Sequence, residues 1–109
     1  MELKHVQAGV VSYLEKELIP KADFKTQFKL WTGIAFANIK LEKLYQENVG
    51  KLISMGIVDG QGNIDVDTLY QSLKFAMQRT GKYQIGDIIF NEQDIDKMYE
   101  HIKTVGGAL

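Results

Sequence analysis

Cysteine is absent from the 109 residues, and proline and arginine each occur once. Without cysteine the chain can form no disulfide and no thiolate metal site, and it has no thiol nucleophile. That composition fits a reducing cytoplasm. Histidine is scarce as well: only His5 and His101 are present, and neither has a second histidine at metal-ligand spacing. Long apolar runs are missing too. The most apolar stretch, Leu30 to Leu41, contains Thr32, Asn38 and Lys40, which is too short and too polar to cross a bilayer. The polar start Met1-Glu2-Leu3-Lys4-His5 has no signal-peptide pattern. Charge of one sign is lacking overall, with a net of −1, so no global attraction to nucleic acid or anionic lipid is expected.

What is present is ordinary for one folded domain over residues 1–109: 45% hydrophobic and 25% charged residues. Leu3, Val6, Val10, Leu14 and Leu18 recur at helical spacing and predict a first helix over 3–19, weakened at Gly9 and ended by Pro20. Asp23 is the expected N-cap of a second helix over 24–47, with Gly50 as a break and Gly56 closing a short continuation. One stripe on this helix is Phe24, Phe28, Trp31 and Ala35, and another is Leu30, Ile34, Ala37, Leu41 and Leu44. Being apolar nearly all round, it is expected to be the central helix, with packing around Trp31, Ile34 and Leu41.

Asp59-Gly60-Gln61-Gly62-Asn63 reads as a turn flanked by a short ribbon of Ile57-Val58 and Ile64. Asp65 then caps a third helix over 66–80, which Gly81 stops. Lys82 to Phe90 predicts a β-hairpin turning at Gly86-Asp87, with Tyr83 opposite Phe90 and Ile85 opposite Ile88. Asn91, with Asp94 three residues on, caps a last helix over 92–104, and Gly106-Gly107 are expected to fray. The fold class is therefore mainly α (α+β): about four helices packed around a central helix, with one short β-hairpin before the C-terminal helix.

Chemistry-bearing patterns are sparse. The Asp59 to Asp65 turn does not fit an EF-hand: with Gly62 at the glycine position, Ile57 and Thr68 fall where carboxylate ligands are needed. Ser12, Ser54 and Ser72 have no nucleophile-elbow context. Asp65, Asp67, Glu92, Asp94 and Asp96 stand at helix starts, where carboxylates complement the macrodipole. No catalytic residue, metal site or cofactor is expected. The aromatic residues Phe24, Phe28, Trp31 and Phe36 cover more than one side of the second helix, more than a small core hides, and are the candidate partner interface. Lys21, Lys25 and Lys29 form a row that is the candidate nucleic-acid face, set against the more common reading of a solvated lysine face. Residues 1–53 carry eight bases against six acids, and residues 54–109 five bases against eight acids, an imbalance that favours head-to-tail contact between copies.

The run Met55-Gly56-Ile57-Val58-Asp59-Gly60-Gln61-Gly62-Asn63-Ile64-Asp65-Val66-Asp67, with Ala76-Met77, Gly81-Lys82-Tyr83 and Ile89 to Tyr99, resembles small proteins of phages and prophages of Gram-positive bacteria. The resemblance covers the C-terminal half and brings no functional residue with it. It implies a role in phage assembly or host interaction, in the cytoplasm or in the phage particle. The leading expectation is a non-catalytic structural or protein-interaction protein, acting through a protein partner or self-association, with no membrane and no metal. A small DNA-binding regulator is second, and a small enzyme third.

Overall fold

The structure, a computed structural model, describes the backbone of residues 1–81, 83–85 and 88–108, and their side chains apart from those of residues 33, 35–41, 44, 83–85 and 88. The first helix, α1 (Leu3–Tyr13), runs on through a wider π turn, Leu14–Leu18, and a 3-10 turn, Ile19–Lys21. The regular helix expected over 3–19 thus changes pitch after Tyr13. Pro20, which has no N–H to give the ladder, lies in the 3-10 turn, and Ala22 beyond it is extended.

Asp23 accepts a hydrogen bond from the Thr26 amide at 2.7 Å and starts α2 (Phe24–Ser54). This helix does not end near residue 47. Gly50 lies inside it, because one helical glycine costs only about 1 kcal/mol and leaves the hydrogen-bond ladder intact. The end comes at Gly56, whose φ of 76° suits a residue without Cβ. Its amide donates to Ile53 O and that of Ile57 to Leu52 O, the two bonds of a Schellman motif, while Ile57 and Leu52 pack in one cluster.

The turn after it closes on Asp59, whose carboxylate accepts from the Gln61 and Asn63 amides at 2.8 and 2.9 Å, and Val58 bridges Ile64 as the ribbon reading expects. Those amide bonds hold Asp59 below the usual carboxylate range. Asp65 caps α3 (Val66–Thr80), and Gly81 at φ 89° follows its last turn. Strands β1 (Tyr83–Ile85) and β2 (Ile88–Phe90) pair antiparallel in the expected register, Tyr83 with Phe90 and Ile85 with Ile88. The turn residues Gly86 and Asp87 lie outside the described residues. Asn91 and Asp94 form the expected capping box of α4 (Glu92–His101), which continues as a π turn, Ile102–Gly106.

The fold is mainly helical, but its centre is α1 rather than α2. Tyr13 is fully buried, with Leu18, Ile19, Ala22 and Leu30 around it and Phe90 and Met98 against them. Val6, Ile57, Val58, Ile64 and Ile102 form a second cluster, and Met98 touches both. The expected packing around Trp31 is not found: Trp31 is 50% exposed, Leu30 is the buried residue beside it, Ile34 is half-buried, and the Leu41 side chain lies outside those described. Glycine explains why α1 takes the centre. A Cβ at Gly9 would lie 2.4 Å from Ile102 Cα, and one at Gly106 would lie 2.6 Å from His5 O. The two helices therefore meet backbone to backbone. Gly106, expected to fray, is buried in this contact.

Candidate docking site

The first turns of α2 have two unlike sides. Thr26 and Leu30 are buried, and Gln27 Nε2 donates to Ala22 O at 3.1 Å, which ties that side to the elbow after α1. The opposite stripe, at i, i+4 and i+7, projects outward: Phe24 is 85% exposed, Phe28 69% and Trp31 50%. Lys21, Lys25 and Lys29 are exposed beside it. The helix start is fixed by Asp23, whose carboxyl is held low by the Thr26 amide and then by Lys25 and Lys29. Three large apolar side chains thus stand on a fixed scaffold with cations on their flank. Phe36, the fourth residue of the expected interface, has its side chain outside those described. Of the expected lysine row, Lys25 and Lys29 stand exposed on α2, whereas Lys21 lies in the 3-10 turn before it.

A second feature lies at the other end of α2. Val6 and Val10 of α1, Tyr45 and Leu52 of α2, and Leu69 and Leu73 of α3 line a half-open groove of about 460 Å³. None of the described lining residues is charged. The amphipathic α3 has no buried residue, although Val66, Leu69, Leu73 and Met77 share its apolar side. Sequence periodicity located that side but could not show that it stays half open.

Polar groups converge in two further places. Tyr13 donates its hydroxyl hydrogen bond to Asp94 at 2.5 Å, and burial followed by that bond pushes the phenol pKa up. Beside it, Ser12 Oγ lies 3.2 Å from His101 Nδ1, and His101 Nε2 lies 3.5 Å from Glu17. A serine, a histidine and a carboxylate are thus in line, with the imidazole turned so that serine meets Nδ1. Ser12 is buried within α1, where backbone N–H groups serve the helix ladder instead of forming an oxyanion pocket. The arrangement fastens α4 to α1. Neither group of contacts was legible in the sequence, since Ser12 and His101 are 89 positions apart and Tyr13 and Asp94 are 81.

On the outer side, α3 and α4 are joined by a polar ladder. Lys74 Nζ reaches Asp96 at 2.9 Å and Glu92 at 3.3 Å, Gln78 donates to Glu92 at 2.8 Å, Tyr70 to Asp96, and Tyr99 to Asp67. The Tyr70 and Tyr99 rings stack at 4.3 Å, and Lys103 lies 4.2 Å above the Tyr99 ring. The Tyr70 bond and then Lys74 hold Asp96 low, while Asp96 in turn pushes Lys74 up. All five carboxylates at the helix starts thus have partners: Asp65 caps Thr68, and the other four take Tyr99, Gln78 with Lys74, Tyr13, and Tyr70 with Lys74. Among the described residues no three His, Asp or Glu side chains gather as a metal site, and no helix is long and apolar enough to cross a membrane. No family model matches the chain, and no curated protein or solved structure is significantly similar to it.

Proposed function

We propose that this chain is a non-catalytic interaction or assembly protein that docks through the Phe24, Phe28 and Trp31 ridge of α2. The observation that supports this is the exposure of all three on a capped, well-anchored helix start. Apolar side chains at i, i+4 and i+7 are the anchors with which a helix enters a partner's groove. Trp and Phe are also the residues in which interface centres are enriched. The resemblance of the C-terminal half to phage and prophage proteins points the same way, toward assembly in the host cytoplasm or in the phage particle.

The test is site-specific photocrosslinking in the producing cells, with p-benzoylphenylalanine at position 28 and, as a control, at the exposed Lys16. A discrete crosslinked species from position 28, missing from position 16 and lost with Trp31→Ala, is the expected result. Equal, diffuse crosslinking from both positions overturns the reading.

The second reading, a DNA-binding regulator, draws on the exposed Lys21, Lys25 and Lys29 beside Trp31. A mobility-shift titration at low and moderate salt separates the two. Binding through phosphates must weaken steeply with salt, and a shift that does so and disappears with Lys25→Glu would favour the regulator.

A further inference from the structure

The ridge and the groove are complementary shapes on one chain. Both belong to α2, but the ridge projects from its first turns, and the groove is built on the side of its C-terminal half that faces α1 and α3. The ~21 Å of helix between Trp31 and Tyr45 keeps a chain's ridge out of its own groove. We infer that the ridge of one copy seats in the groove of the next, so that this chain assembles head to tail. This rests on the reading of the ridge as the docking element and names its occupant, a second copy.

Three observations carry it. The groove, at about 460 Å³ with no charge among its described lining residues, offers room for aromatic rings, and its α3 wall has no buried residue. Charge runs the right way. Lys21, Lys25 and Lys29 accompany the ridge, while past Val58 and Ile64 the groove adjoins a cleft in which the two carboxylates Asp59 and Asp65 stand against the Met1 ammonium, bonded to Ile64 O at 3.1 Å. Lys4, on the α1 side, is paired with Glu2. The amino-terminal half is net positive and the rest net negative. By contrast, antiparallel pairing of ridge on ridge sets two lysine rows against each other. Area sets the strength. At 150–250 Å² for an aromatic side chain, the ridge presents roughly 400 Å². The contact then buries roughly 800 Å² in all, short of the ~1,200–2,000 Å² of stable complexes. The assembly is therefore concentration-dependent. Unlike surfaces meeting in this way form rings or open chains rather than closed two-fold pairs.

Sedimentation equilibrium of the full chain over a concentration series tests this. The wild-type average mass should climb past that of a dimer at high concentration, and less so as salt rises. Phe28→Asp removes the ridge and Leu73→Trp fills the groove; each alone should weaken association by roughly tenfold or more, as expected for a central anchor. If L73W loses cooperative unfolding, Asn48→Trp, at the exposed rim of the groove, replaces it. Mixing the two variants is decisive: F28D retains a groove and L73W a ridge, so together they should form a 1:1 pair that grows no further. Undiminished self-association of L73W overturns the head-to-tail arrangement in favour of ridge-on-ridge pairing. A monomer at every concentration also overturns it, yet leaves the docking reading standing if position 28 still crosslinks to a different protein.

Discussion

Replacing glycine by alanine inside a helix is ordinarily stabilising, by about 1 kcal/mol, because alanine loses less backbone entropy on folding. Gly9 of α1 and Gly50 of α2 should answer that change with opposite signs. Around Gly50 nothing lies within 4 Å of an added Cβ, and its φ is not positive. Gly50→Ala should therefore raise stability by roughly 0.5–1 kcal/mol. At Gly9 the same Cβ would meet Ile102 Cα at 2.4 Å and its N and Cγ1 at 2.9 Å. Two of those three atoms are backbone and cannot rotate away, so α1 and the end of α4 must separate by about 1 Å to reach ordinary contact. Overpacking of this kind costs roughly 1–3 kcal/mol, and separating two packed helices puts it at the upper end, where it exceeds the propensity gain. Gly9→Ala should thus lose about 2 kcal/mol net, a drop in Tm on the order of 10 °C for a domain of this size. Thermal and urea unfolding followed by far-ultraviolet circular dichroism measure both variants. Gly9→Ala matching or exceeding Gly50→Ala in stability would refute the close crossing on which the helical core is built.

Three further outcomes follow from the contacts described. Tyr13→Phe should cost about 1–3 kcal/mol in urea unfolding, because it removes a buried bond to a charged acceptor. In the wild type the raised phenol pKa means stability is full below the ordinary tyrosine range near pH 10 and is lost as pH rises through the folded value. Asp23, Asp59, Glu92 and Asp96 are all held low, so their contribution is present above about pH 4 and is lost as pH falls through their folded values. A urea midpoint that stays constant from pH 6 to about pH 3 would contradict this. Phe28→Asp should leave stability within about 0.5 kcal/mol, as for a largely exposed side chain, and a large loss would show that Phe28 is buried.

The parts legible in the sequence were those set by a few neighbouring residues. Asp23, Asp65 and the Asn91–Asp94 pair cap helices because the acceptor and the amides it serves are within three residues. The hairpin register follows from alternation over eight residues. What could not be read depends on which face meets which partner. Two apolar stripes ran along α2, and periodicity does not say which one turns inward. Trp31, expected among the packed residues with Ile34 and Leu41, turns outward, whereas Leu30 and the small polar Thr26 face inward. Gly9 looked like a weakness and Gly50 like a break, because the use of a glycine lies in the element across from it. Ser12, Glu17 and His101 are common surface types, and only the α1–α4 crossing brings them together.

If the ridge docks as proposed, folding and docking use different sides of one helix, coupled at its first turn. Phe24 and Phe28 keep most of their surface exposed in the folded state and Trp31 half of its own, so much of the ridge's apolar area is left for a partner. Their direction depends on Asp23, which holds the Thr26 amide and fixes where Phe24 and Phe28 project. Asp23→Ala should lower stability through loss of the cap and fray the first turn. Association should weaken even though every ridge side chain is retained. Asp23→Asn keeps a capping oxygen while removing the charge, so it should restore both properties almost fully. Hydrogen exchange at the amides of residues 26–28 reports the fraying, and sedimentation or crosslinking at position 28 reports docking. If Asp23→Ala speeds exchange without weakening association, the ridge docks as a flexible segment, and the preorganised start of α2 is not what the partner recognises.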